Sequence, residues 1–156
     1  MQQEEHWTNV YQEKAADTVS WHQPSPEPSL EALERFGASP SSSFIDVGGG
    51  ASNLVDGLLS GGWGDLTVLD IAAPALEVAK HRLGKQASQV QWIVTDITDW
   101  SPTRRYGVWH DRAVFHFLTE PNAREAYHRA LLAGLGVGGL VIISTFGFFM
   151  LHLHLQ

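Results

Sequence analysis

Phe44-Ile45-Asp46-Val47-Gly48-Gly49-Gly50-Ala51-Ser52 is the stretch from which this chain is read. Phe44 to Val47 suits a buried strand, and the glycines after it let the backbone turn tightly and let a ligand approach with no Cβ in the way. A dinucleotide-binding turn starting at Gly48 requires glycine again at positions 50 and 53; position 50 complies, but position 53 is Asn53. A phosphate-cradling loop ends in Gly-Lys-Ser/Thr, and this one contains no lysine. Asp46 argues the same way. A carboxylate near the mouth of a strand repels a pyrophosphate and attracts a cation. The plainer alternative is a generic glycine-rich strand–helix turn.

Downstream of that turn, short aliphatic runs alternate with helical stretches. Helices are expected over Ala51 to Leu59, Ala72 to Leu83 (Leu76, Val78, Ala79 and Leu83 available to a core) and Asn122 to Leu132. Strands are expected at Leu66 to Asp70, Val90 to Val94, Tyr106 to Trp109 and Leu140 to Thr145. Strand–helix alternation with nearly continuous apolar strands means a parallel sheet covered on both faces, and right-handed crossovers make it doubly wound. The fold class is therefore α/β, a Rossmann-like, doubly wound, mostly parallel sheet. Upstream, Gln3 to Lys14 reads as a helix with Trp7, Val10 and Tyr11 on one side. Pro24, Pro26 and Pro28 fix an extended connection, and a second helix runs from Pro28 to Phe36 with Gly37 as its stop.

Ligands of such sheets lie beyond the carboxyl ends of the strands, so the residues there are the candidates. Asp70 ends the second strand, 22 residues after Gly48. At that spacing a carboxylate reaches a ribose and accepts from both hydroxyls; as a local device it caps the next helix. Ile71 follows and is placed to lie against a base. Asp96 and Ile97 stand after the third strand, and Asp46, Asp70 and Asp96 together are far more specific than any one acid. After the fourth strand come His110, Asp111, Arg112 and His116. An imidazole can act as a base near neutral pH, against the blander reading of a packed or surface ring. Asp111 and Arg112 read either as contacts to the reacting groups or as an internal ion pair. No histidine pair has metal spacing, and no metal is expected.

The bulk composition sets limits. A net charge of −7 argues against a nonspecific nucleic-acid binder, which needs a cationic field. The absence of cysteine removes disulfides and thiolate chemistry. The longest nearly apolar run, Gly138 to Leu151, falls short of the roughly 20 residues of a membrane span. A cytoplasmic protein with no membrane or nucleic-acid partner is expected; the sequence leaves oligomeric state open.

The run Asp46, Gly48, Gly50 resembles the first motif of the class I S-adenosylmethionine (SAM)-dependent methyltransferases, an acid followed by glycines at every second position, with Ser52 where the third glycine usually lies. The resemblance covers roughly His6 to Phe146. It implies SAM as cofactor, held by Asp46, Gly48, Gly49, Gly50, Asp70, Ile71, Asp96, Ile97 and Asp111. In it Asp96 accepts from the adenine amino group and Ile97 packs on the ring. The Asp111-Arg112 pair resembles the thiopurine/thiol methyltransferase-like branch and a related lysine-methylating branch. It implies Asp111, Arg112 or His110 at the methyl donor or the acceptor. The N-terminal aromatics, with Tyr11 and Trp21 foremost, resemble an arm lying over the cofactor, where a ring gains from facing a sulfonium; they serve equally to anchor the arm.

These readings divide the chain into a covering arm (residues 1–40), a cofactor-binding core (41–146) and an atypical apolar tail (147–156). Family members continue through another helix and an antiparallel strand pair. That pair is expected to be missing here, as in a C-terminally truncated chain, leaving either an exposed sheet edge or a tail that patches it as an extra strand. The expected function is methyl transfer from SAM to a small-molecule or protein acceptor. The alternative is a catalytically impaired SAM-binding pseudoenzyme. A nucleotide-dependent oxidoreductase of similar topology is disfavoured by Asp46 and Asn53.

Overall fold

The computed structural model describes residues 26–112 and 114–144, with Glu5, His6 and Asn9, and the backbone of 150–154. Glu5, His6 and Asn9 are helical, as the first predicted helix requires; the rest of that helix, Tyr11 and Trp21 lie outside the described residues.

Helix α1, Glu27–Arg35, starts with Pro28 in its first turn and carries Glu27 at its N-terminus and Arg35 at its C-terminus, each suited to the helix dipole. It buries Ser29, Ala32 and Leu33, a stripe at helical spacing. Then follow β1 (Phe44–Val47), α2 (Leu54–Ser60), β2 (Leu66–Asp70), α3 (Ala73–Leu83), a 3₁₀ turn over Gly84–Gln89, and β3 (Val90–Val94). Strand β4 (Tyr106–Arg112), a short 3₁₀ turn (Phe115–Phe117), α4 (Pro121–Gly134), β5 (Leu135–Ser144) and β6 (Met150–His154) complete the order.

The sheet order is β3-β2-β1-β4-β5-β6, parallel from β3 to β5. The chain starts in the middle, winds out to β3, then returns to the other side of β1, so β1 and β4 flank the switch point where such folds bind ligands. Alternating strand residues build two cores. Phe44, Val68, Val90, Val108 and Ile142 meet α1, α2 and α3, while Ile45, Val47, Trp109, Val141 and Ile143 meet α4.

The doubly wound α/β reading holds, with corrections at the edges. The helix predicted over Ala51 to Leu59 starts at Leu54, because 51–53 are still in the glycine turn. Val78 is 43% exposed, since α3 buries the stripe Ala75, Leu76, Ala79 and Leu83 on its other side. Strand β4 runs three residues further than expected, through Arg112, and β5 begins at Leu135. In place of an uncovered edge, Met150–His154 pairs antiparallel with β5, Leu140 opposite His154 and Ser144 opposite Met150. The tail is thus the patching strand, and the described sheet ends in one antiparallel strand.

Candidate functional site

The carboxyl ends of β1, β2 and β4 carry the polar side chains that the sequence singled out. Gly48 and Gly50 have φ of 72° and 43°, the left-handed region in which a side chain is strained. The N–H groups of Gly48 and Gly49 both donate to the Leu69 carbonyl, at 2.7 and 3.3 Å, which folds the loop over the end of β2. A Cβ on Gly49 would lie 2.5 Å from Val68 Cγ1 and 2.8 Å from Asp46 Oδ2, and one on Gly48 would lie 2.0 Å from Val114 Cγ2. The loop therefore rests directly on the Asp46 carboxylate. Ser52, at the third-glycine position, uses its hydroxyl to accept from the Leu54 N–H at the head of α2, at 3.1 Å.

Asp70 is buried at the end of β2 and accepts the Ala72 N–H at 2.8 Å, closing the turn into α3. The Gly50 and Ile71 backbone N–H groups also reach this carboxylate, so it ties the glycine turn to the head of α3. Burial pushes the Asp70 pKa up to about 6, and the neighbouring Asp46 charge adds to the rise against the backbone N–H bonds that lower it. Asp46 and Asp70 are therefore within electrostatic reach of each other. The Thr95 N–H donates to the Asp70 carbonyl at 3.0 Å, which brings the turn holding Asp96 alongside. The Asp96 side chain itself is half-buried and turned locally, its Oδ1 accepting from both the N–H and the hydroxyl of Thr98 at 2.8 and 2.7 Å. Ile71 is half-buried, and Ile97 packs in the α4-side core.

Strand pleat sends consecutive residues of β4 to opposite faces. His110 goes to the α1 face, where Nδ1 meets Asp46 Oδ1 at 2.7 Å and Nε2 meets Ser29 Oγ at 3.0 Å. Each ring nitrogen thus faces one oxygen partner, and the imidazole bridges Asp46 and Ser29. Asp111 goes to the α4 face. Its Oδ1 accepts the Val114 N–H at 2.8 Å, and its Oδ2 accepts the Phe115 N–H at 3.1 Å and the Tyr127 hydroxyl at 2.6 Å. Tyr127 in turn accepts the Trp109 indole N–H at 3.1 Å. Asp111 has no exposed surface, and burial raises its pKa to about 6 against the pull of those three donors. The same desolvation, with the Asp111 charge, raises the Tyr127 pKa well above its ordinary value.

Asp111, expected at the methyl donor or acceptor, braces the turn after β4 through the Val114 and Phe115 N–H groups and the Tyr127 hydroxyl. His110, a candidate base, is buried with each ring nitrogen on a partner inside the protein. Asp46, expected at the strand mouth, lies under the loop rather than open to a ligand. Arg112 is half-buried on the side of the sheet opposite Asp111, and His116 is exposed. Among the described residues, no three metal-ligating side chains cluster and no helix is long and apolar enough to cross a membrane.

Sequence reasoning missed three partners. Ser29 and Tyr127 sit on helix faces whose apolar spacing announces burial but not which strand residue they meet. Arg82, in the last turn of α3, grips Asp56 through Nε and Nη2 at 2.9 and 2.7 Å and donates to the carbonyls of Ala51 and Ser52 at 3.1 and 2.8 Å. It thereby fixes the far end of the glycine turn. The basic triplet Lys80-His81-Arg82 signalled only a helix C-terminus.

The family described as "Methyltransferase domain" matches residues 44–138, more than half of the chain and the whole of β1 to α4. No curated protein matches the chain in sequence. Among solved structures, a protein from a study of the conversion of a disulfide bond into a thioacetal group during echinomycin biosynthesis superposes with a TM-score of 0.73 at 24% identity, over 89% of this chain and 60% of that one. DhpI in complex with SAH gives 0.71 at 19%, over 92% and 67%. The glycopeptide N-methyltransferase MtfA complexed with sinefungin gives 0.65 at 16%, over 78% of this chain and 57% of MtfA. At these identities the likeness is one of fold, and the chain spans little more than half of MtfA. The family match over residues 44–138, on a sheet with the glycine turn and Asp70 at its switch point, shows that this chain belongs to the methyltransferase-domain family.

Proposed function

We propose that the chain binds SAM and transfers its methyl group to a small-molecule or protein acceptor. The observation that carries this is Asp70: a buried carboxylate at the end of β2, beside a glycine turn with no lysine or arginine of its own, in a chain of the methyltransferase-domain family. The donor set fits a positively charged nucleoside. Asp70 offers a carboxylate to the ribose hydroxyls, Asp46 beneath the loop adds negative potential, and Arg82, beside the exit of the glycine turn, is paired with Asp56. MtfA has been solved with SAM and DhpI with SAH, which agrees with that cofactor.

When bound, SAM supplies the electrophilic methyl group, so the protein's work is alignment and exclusion of water. Gly48 to Gly50 give a backbone surface for the methionine portion, Ile71 and Ile97 an apolar wall for the base, and Asp96 an acceptor for the adenine amino group. Tyr11 and Trp21 belong to the arm assigned as the cover. On the acceptor side we retain Arg112. The Asp111-Arg112 pair supports a place near the thiopurine/thiol methyltransferase-like or lysine-methylating branches, with Asp111 bracing rather than reacting. We assign a catalytically impaired SAM binder as the second reading. It is favoured by the burial of Asp111, whose carboxylate is committed to three donors within the protein.

Calorimetric titration of the full chain with SAM, SAH and NAD tests the proposal. SAM and SAH should bind and NAD should not; NAD binding without SAM overturns it. Transfer of labelled methyl to a panel of thiols, amines and proteins separates the two readings, since the pseudoenzyme binds and never turns over.

A further inference from the structure

Two polar clusters flank the junction of β1 and β4, one on each face of the sheet. The one on the α1 face is a relay of three buried side chains from three elements: Ser29 Oγ to His110 Nε2 at 3.0 Å, and His110 Nδ1 to Asp46 Oδ1 at 2.7 Å. The order Ser–His–Asp is that of an acyl-transfer nucleophile, but the Ser29 hydroxyl is buried against the imidazole. The relay connects other things instead. One end is the carboxylate on which the glycine turn rests, 2.8 Å from where a Gly49 Cβ would be. The other is the first turn of α1, the helix that follows the proline-bearing arm.

We propose that His110 is a positioning residue that locks Asp46 under the cofactor loop and, through Ser29, couples the first turn of α1 to cofactor occupancy. This rests on the SAM-binding reading above. The physical case lies in the shape of the side chain. A rigid ring with one nitrogen at each end spans two partners on opposite sides at once, and this ring is held by stacking on Phe44, centroids 6.0 Å apart at 26°. Asparagine reproduces only the Nδ1 end and glutamine only the Nε2 end. An apolar ring fills the space and bonds neither. A buried Asp46 that loses its donor turns to find another, and the loop resting on it shifts with it.

The test is SAM titration of the full chain as wild type, His110→Asn, His110→Phe and Ser29→Ala, with amide hydrogen exchange over residues 26–35 with and without SAM. We expect His110→Phe to weaken SAM tenfold or more, and His110→Asn and Ser29→Ala to bind within about threefold of wild type. In wild type, SAM should slow exchange in α1; in Ser29→Ala and His110→Asn that slowing should be lost although SAM is bound. This is a readout that simple core filling would not move. Wild-type affinity in folded His110→Phe, or SAM-dependent protection of α1 surviving in Ser29→Ala, overturns the relay alone. A wild-type chain that takes up no SAM overturns the cofactor reading and this inference with it.

Discussion

Asp70 illustrates how a ligand site trades against the fold that carries it. Its carboxyl titrates near 6 in the folded chain against 3.8 ordinarily. Between those values the folded protein holds a proton that the unfolded chain has released, so stability is lost as pH rises through that window. Above about pH 6 the fold carries a charge it would rather not bury, at a cost of roughly 3 kcal/mol by linkage. Asp70→Asn should therefore stabilise the apo protein more at pH 7.5 than at pH 4.5, seen as a larger gain in melting temperature at the higher pH. The same substitution should weaken SAM tenfold or more, because the ribose hydroxyls lose a charged acceptor. Wild-type affinity should likewise fall as the pH drops below about 6. Equal affinity in wild type and Asp70→Asn would remove Asp70 from the site. On the other face, Tyr127→Phe strands the Trp109 indole N–H and takes one donor from Asp111, which should cost about 1–3 kcal/mol. Asp111 should then titrate still higher, so the loss measured in urea should be greater at pH 7.5 than at pH 5. Asp70 was legible at this scale because its signal is local, a strand end at a fixed distance from a glycine turn. The burial of Asp111 was not, because the partner that decides it, Tyr127, lies 16 residues away on a helix.

Among the elements, the strands and helices followed from periodicity, and the boundaries erred where polar residues lie inside a strand. Reading β4 as ending at Trp109 assumed that His110-Asp111-Arg112 must leave the sheet. They stay, because each face supplies a partner: Asp46 and Ser29 for His110, and Tyr127 with two backbone N–H groups for Asp111. A buried polar residue is tolerated when its bonds are made, and which bonds are available is settled by neighbouring elements. Arg82 is the clearest case of an element serving another. From the end of α3 it holds the first turn of α2 through Asp56 and the exit of the glycine turn through two carbonyls. Arg82→Gln should cost about 1 kcal/mol, the pair being only partly shielded from solvent, and should loosen the loop enough to raise the SAM dissociation constant severalfold. Asp56→Asn should remove the ion pair while leaving the two carbonyl bonds, so a double-mutant cycle on SAM affinity should show that most of the effect resides in Arg82. Identical losses in the two single variants would place it in the ion pair instead.

For the molecule as a whole, the decisive question is how the sheet is closed on the β5 side. A parallel sheet of aliphatic strands presents an open ladder at its last strand, and an uncovered apolar edge recruits other chains. Here β6 occupies that ladder over five residues, from Met150 opposite Ser144 to His154 opposite Leu140. The tail read as atypically apolar alternates Leu151 and Leu153 with His152 and His154, a period-two pattern that suits a strand paired on β5. If closure is its role, interrupting the ladder should leave the methyltransferase core folded and make it associate. Proline at position 152, opposite Ile142, removes a backbone donor and restricts the residue before it. His152→Pro should keep the circular dichroism of the core and its SAM affinity near wild type, since the glycine turn and Asp70 lie three and four strands from β6 in the sheet order. It should also bind an apolar dye and sediment as larger species at micromolar concentration. If the variant stays monodisperse and dye-free, the strand is dispensable and β5 protects its own edge. If SAM binding falls in step with association, the edge and the cofactor site behave as one cooperative unit rather than two.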